Sequence, residues 1–111
     1  MNSEPTEIDE EEEMEVPEQI CIDLHGVSSA RQLHELLRKE LQFPLWYGHN
    51  WDAFWDAIRG LVPLPKRITF IGWANLVEAL PEDSRKLREL FDKYSEKYGC
   101  YASDYCEVIY L

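Results

Sequence analysis

Three short apolar runs constrain this chain more than anything else in it. Gln19–Leu24 (QICIDL), Arg67–Trp73 (RITFIGW) and Glu107–Leu111 (EVIYL) are short, rich in β-branched or aromatic residues and bounded by turn formers, so each reads as a strand. The stretches between them follow a helical period instead. After Ser28 or Ser29, either of which can cap a helix, Leu33, Leu36, Leu37 and Leu41 recur at helical spacing, with Arg31, Glu35, Arg38 and Lys39 on the other face; Pro44 ends that helix. Asn50 suits the N-cap of a second helix, Trp51–Arg59, closed by Gly60. Ala74–Leu80 is a short helical stretch ended by Pro81. Glu82–Tyr98 is a longer helix, with Leu87, Leu90, Phe91 and Tyr94 three and four apart, and Gly99 terminates it. The order β–α–α–β–α–α–β calls for an α/β fold with a small three-stranded parallel sheet. Right-handed crossovers between neighbouring strands put all the helices on one face.

A chain of 111 residues fits one domain, and with 45% hydrophobic and 13% aromatic residues it can fill a core. The formal net charge of -11 is unevenly spread. Residues 1–18 hold nine acidic side chains and no Lys or Arg, leaving 13 acids against 11 bases in residues 19–111. The chain therefore divides into an acidic disordered tail, 1–18, and a folded domain, 19–111. The tail either extends a negative field toward a basic partner or serves only solubility. Lys and Arg are scattered, so nucleic acid is not an expected direct partner; a basic protein is. Cys21, Cys100 and Cys106 cannot all pair within one chain, and Cys100 and Cys106 read as buried structural thiols. No apolar secretory segment follows Met1, and no run approaches the length of a membrane span. The expectation is a reduced cytoplasmic protein with no membrane partner.

The stretch that carries chemistry is Phe43–Gly60, FPLWYGHNWDAFWDAIRG, a loop running into the second helix. At about 100° per residue, Trp51, Phe54, Trp55, Ile58 and Leu61 share one side of that helix while Asp52 and Asp56 lie together on the other. Two carboxylates one turn apart repel by a few tenths of a kcal/mol in an isolated helix, and folding does not require them. They read either as a solvated face or as a binding face. Trp46, Tyr47, Trp51 and Trp55 crowd the same ten residues, and aromatics beside fixed charge are characteristic of protein interfaces. Trp51 and Phe54 also centre the apolar stripe, where a core role is natural. A metal site built from His49, Asp52 and Asp56, at i, i+3 and i+7, is a third reading, although His49 precedes the cap and no second ligand cluster is visible. No Gly-rich phosphate loop, Cys-x-x-Cys or His-Glu-x-x-His pattern occurs, and neither His25 nor His34 has a recognisable catalytic partner. An enzyme is not expected, nor is a cofactor.

At this segment the sequence resembles the barstar family, intracellular inhibitors of barnase-type ribonucleases. The resemblance rests on Lys39-Glu40-Leu41, Pro44, Trp46-Tyr47-Gly48 and Asn50-Trp51-Asp52-Ala53-Phe54-Trp55-Asp56. It extends more loosely to Gly26, Trp73 and Gly99-Cys100, covering about residues 19–111. It implies a non-enzymatic domain whose second helix and preceding loop plug a ribonuclease active site, one inhibitor to one enzyme, from a free monomer. Asp56 would sit where substrate phosphate binds, Asp52 would support it, Trp55 and Gly48 would touch the enzyme, and Trp46 would stack near a catalytic His. The implied partner-binding set is Trp46, Gly48, Asn50, Trp51, Asp52, Trp55 and Asp56, with Arg59, Glu89, Asp92 and Glu96 as further candidates. Arg59 departs from the family pattern by placing a positive charge three residues after Asp56, where it can pair with that acid in the free protein. The departures leave the expected fold intact and bear on which enzyme is the target. An immunity protein or module for another basic, non-ribonuclease toxin or regulator is the alternative.

Overall fold

The computed structural model describes residues 17–99 and 105–111. The acidic segment up to residue 16 lies outside the described residues, as does Cys100. The elements are β1 (Gln19–Asp23), α1 (Ala30–Leu41), α2 (Trp51–Asp56), a π-helical turn (Ala57–Leu61), β2 (Arg67–Ile71), α3 (Trp73–Ala79), α4 (Pro81–Tyr98) and β3 (Glu107–Tyr110). The three strands form one parallel sheet in the order β1-β2-β3. Its pairing begins before Gln19: the carbonyl of Glu18 accepts from the amides of Lys66 and Arg67 at 2.9 and 3.2 Å.

The register explains which face is covered. Ile20, Ile68 and Val108 lie side by side, as do Ile22, Phe70 and Tyr110, and Ile22, Ile68 and Phe70 are fully buried. The residues between them point the other way, and Gln19, Cys21, Asp23 and Arg67 are exposed. Parallel sheets are usually covered on both faces. This open face is made wettable by Arg67, which donates to Glu107 at 3.0 Å and to Gln19 at 3.3 Å.

On the covered face, a run of ring contacts ties the sheet to the loop after α1. Tyr110 stacks on Phe70 with centroids 5.9 Å apart, and Phe70 meets Phe91 of α4 at 6.0 Å. Phe91 meets Phe54 of α2 at 5.5 Å, Phe54 meets Phe43 at 5.7 Å, and Phe43 meets Tyr47 at 5.0 Å. Each such pair adds about 1 kcal/mol beyond the area it buries. The loop carrying Trp46 is thus anchored to the sheet through packed rings.

Several element ends differ from the sequence reading for local reasons. β2 stops at Ile71 because Gly72 turns left-handed at φ 81, and a Cβ there would come within 3.0 Å of the His25 ring. Trp73 consequently opens α3 instead of closing the strand. Pro81 is the first residue of α4, where an N–H would have no acceptor within the helix and the fixed φ of proline suits the first turn. Ser29, not Ser28, caps α1, its hydroxyl accepting from the Gln32 amide.

Candidate protein-binding site

The second helix is built as its sequence suggests at the start and differently at the end. Asn50 caps α2 with an extended backbone, and its side-chain oxygen accepts from the Ala53 amide at 2.7 Å. Its side-chain nitrogen donates to the Gly48 carbonyl at 3.1 Å, so one residue fixes both the helix and the loop before it. Gly60 does not close the helix. The chain widens into a π-helical turn over Ala57–Leu61, with Val62 N–H reaching the Ala57 carbonyl five residues back at 3.2 Å. Val62 is extended, as the residue before Pro63 must be.

That extra residue in the turn moves one side chain. Leu61 was expected on the buried stripe, but a π-helical turn advances each residue by less than the α-helical angle, and Leu61 swings out to 48% exposure. Phe54, Ala57 and Ile58 keep the inward face. Trp51 is half-buried: its ring lies 4.3 Å from that of His34, and its indole N–H donates to Asp83 of α4 at 2.9 Å. This contact spans 32 residues of sequence.

Outward, an open groove of about 520 Å³ runs between the loop and the helix. Pro44, Trp46, Tyr47 and Gly48 form one wall, and Ala53, Asp56, Arg59, Gly60 and Leu61 form the other. Trp46 stands 72% exposed at its edge. Among the predicted site residues, the groove therefore gathers Trp46, Gly48, Asp56 and Arg59. Asp52 is exposed on the same helix, Asn50 caps it, Trp55 is half-buried beside it, and Trp51 turns toward the core. Asp56 accepts from Arg59 at 3.0 Å, the pairing expected from the sequence, and both side chains remain about half exposed. That carboxylate also raises the Arg59 pKa further, chiefly through the hydrogen bond. Asp52 has no ion pair or side-chain hydrogen bond among the described residues.

On α4, Glu89 is held by Arg85 at 2.7 Å, while Asp92 and Glu96 are exposed. The α4 residue that reaches the site is one the sequence reading passed over: the Lys93 ammonium sits 4.5 Å from the centre of the Trp55 ring. Arg59 approaches the same indole at 5.8 Å. Lys93 lies two residues after Phe91 and one before Tyr94, at the edge of the core stripe, but which neighbour that edge meets depends on how α4 packs against α2.

The loop's own support was not anticipated either. The Tyr47 phenol lies 2.6 Å from His34 Nδ1, and both side chains are buried. Burial lowers the His34 pKa to about 4 and raises that of Tyr47. His49 is turned away from Asp52 and Asp56. Its Nδ1 lies 2.9 Å from the Tyr47 carbonyl and its Nε2 lies 2.7 Å from Glu35. Neither ring nitrogen is left for a metal shared with those acids, and no group of three metal-ligating side chains occurs among the described residues. His25 pairs with Asp23 at 2.7 Å at the surface, with no hydroxyl or thiol bonded to it among the described residues. Cys106 is buried, which raises its thiol pKa to about 12, whereas Cys21 is exposed. No helix of the described residues is long and apolar enough to cross a membrane.

Comparison with known proteins identifies the family. Residues 18–108 match the family described as "Barstar (barnase inhibitor)". A protein of Bacillus subtilis (strain 168), "Putative ribonuclease inhibitor YrdF", is 34% identical over 83 residues, covering 65% of this chain and 91% of the relative. The three-stranded parallel sheet, the capped helix after an aromatic loop and the sequence match together assign this chain to the barstar family.

Proposed function

We propose that this chain inhibits a ribonuclease by inserting the Asp56 edge of α2 and the Trp46–Gly48 loop into the enzyme's phosphate-binding site. The family is one of barnase inhibitors, which makes ribonuclease inhibition, and not catalysis, the natural activity. The observation that carries the mechanism is the carboxylate of Asp56, half exposed on a groove walled by Trp46 and Gly48. Asp52 is exposed one turn earlier on the same helix. A ribonuclease site holds the anionic backbone of RNA, so a carboxylate on a rigid, capped helix can occupy the phosphate position. Its cost of desolvation is then offset by the enzyme's cations. Asp52 adds negative potential that speeds encounter. Trp46 offers a flat apolar surface for a ring at the enzyme's active site. In this reading the protein acts as a monomer, one copy per enzyme, in the cytoplasm, and protects the cell that makes the nuclease.

Arg59 gives the reading a particular shape. Its guanidinium must leave Asp56, or be matched by an acid on the enzyme, before Asp56 can meet an enzyme cation. The test is RNA cleavage by a barnase-type ribonuclease titrated with the wild type, with Asp56→Ala and with a tail variant such as Glu12→Ala. Stoichiometric inhibition that survives the tail change and is lost in Asp56→Ala is expected. Equal losses in the two variants would refute the mechanism. Binding to a basic protein without any effect on RNA cleavage would point to a non-ribonuclease toxin or regulator as the partner.

A further inference from the structure

His49 adopts a left-handed backbone at φ 54, unusual for a residue other than glycine, and its side chain is held at both ends. Nδ1 faces the Tyr47 carbonyl at 2.9 Å, and Nε2 faces Glu35 Oε1 on α1 at 2.7 Å. A carbonyl oxygen and an ionised carboxylate only accept hydrogen bonds. A neutral imidazole has one N–H to give and an imidazolium has two, so both contacts are hydrogen bonds only when the ring is charged. The carboxylate is itself fixed, because Arg38 donates to Glu35 Oε2 through Nε at 3.0 Å and Nη2 at 2.7 Å.

We infer that His49, as an imidazolium held by Glu35, is a positioning residue that sets the Trp46–Gly48 loop for binding, and so makes the inhibitor's affinity depend on pH. The inference rests on the proposed function for its consequence and on geometry alone for its mechanism. The staple lies outside the groove, so it acts on Trp46 and Gly48 through the backbone that it holds.

The other groups around His49 leave this ring in control. Glu35 and Arg38 of α1 form the charged pair already described. Hydrogen bonds, first from Arg38 and then from His49, lower the Glu35 pKa to about 2, so it stays a carboxylate wherever histidines titrate. The His34 ring, also on α1, lies 6.5 Å from His49; with its pKa lowered to about 4, it brings no like charge near neutrality. The Tyr47 ring lies 5.3 Å away and stays neutral. Asp83 of α4 acts electrostatically on His34.

The test uses the full chain and needs no variant to begin. A nuclear magnetic resonance titration follows the carbon-bound ring protons of His49 together with the amides of Gly48 and Asn50. The expected result is one shared midpoint, with lower protection of both amides on its alkaline side once the intrinsic rise of exchange with pH is divided out. In Glu35→Ala, a change at an exposed side chain, the two amides should no longer follow the ring; in Arg38→Ala they still should. Affinity for a barnase-type ribonuclease is then measured across the same pH range as the ratio of wild type to Glu35→Ala, which cancels the enzyme's own titration. That ratio should be roughly tenfold where His49 is charged, the worth of one charge-assisted hydrogen bond, and near one where it is neutral. Unmoved Gly48 and Asn50 amides, or a ratio of one throughout, would overturn the inference while leaving inhibition intact. Coupled titration in a chain that inhibits no ribonuclease would support the staple and overturn the proposed function.

Discussion

The outward face of α2 and the first half of α4 are both rich in carboxylates, and they use them in opposite ways. Over the first half of α4 the acids are spent within the molecule, whereas Asp92 and Glu96 further along are exposed and form no ion pair among the described residues. Arg85 sits between Glu82 and Glu89, 2.7 Å from each, and Asp83 accepts the Trp51 indole N–H. On α2, Asp52 has no side-chain partner among the described residues, and Asp56 has one, Arg59, a turn further on in a segment that has already left α-helical geometry. Paired surface acids serve a helix modestly and locally. Asp52, in the first turn, gains a little from the helix dipole, but Asp56 gains almost nothing, and the placement of the pair calls for an explanation outside the chain. The inward faces show no such contrast: Phe54 of α2 and Phe91 of α4 touch in the same core.

If the comparison holds, changes on the inner face of α2 should affect stability, and changes on its outer face should affect binding alone. The largest stability effect is expected at Phe54, fully buried among Phe43, Trp51 and Phe91. Phe54→Ala should cost about 4 kcal/mol in urea unfolding. A cost below 1 kcal/mol would mean that α2 is not part of the core. Next is His34, buried beneath the loop. Its folded pKa of about 4 lies below the ordinary value of 6.5, chiefly through burial. Between these values the unfolded chain binds the proton and the folded chain does not. Stability is therefore fully present above pH 6.5 and declines as the pH falls toward 4, by about 3 kcal/mol in all. His34→Gln should flatten that part of the unfolding profile, and an unchanged slope would assign the acid sensitivity to other groups.

A smaller effect, of opposite sign, is expected at Arg59. Freeing Asp56 by Arg59→Ala should tighten inhibition of a barnase-type ribonuclease several-fold, the modest gain that release of an exposed ion pair allows. Weaker inhibition instead would mean that Arg59 meets an acid on the enzyme. The smallest effect belongs to α4: Arg85→Ala should lower the urea midpoint only slightly and leave inhibition unchanged.

What the sequence makes legible is what depends on local chemistry. Strand and helix positions follow from apolar period, and the Asn50 cap from a residue type that does one thing well before a helix. The Asp56–Arg59 pair could be anticipated because three residues on a helix fix its geometry. The π-helical turn could not, since Gly60 signals a helix end by itself, and what carries the chain past it is the Val62–Ala57 bond. Lys93 over Trp55, Trp51 with Asp83, and His49 with Glu35 all join separate elements. Their meeting is decided by how helices rotate against one another, which periodicity within one helix does not specify. Half of the site is therefore read from spacing, and the other half comes from packing.

The most direct measurement of the central claim removes a charge and keeps a shape. Asp56→Asn preserves the size of the side chain on the groove and deletes its negative charge. RNA cleavage titrated with this variant, alongside its urea unfolding curve, separates binding from folding. Loss of inhibition by a hundredfold or more, with stability within about 0.5 kcal/mol of the wild type, is the expected result. Inhibition retained by Asp56→Asn would contradict the assignment of this carboxylate to the enzyme's phosphate site.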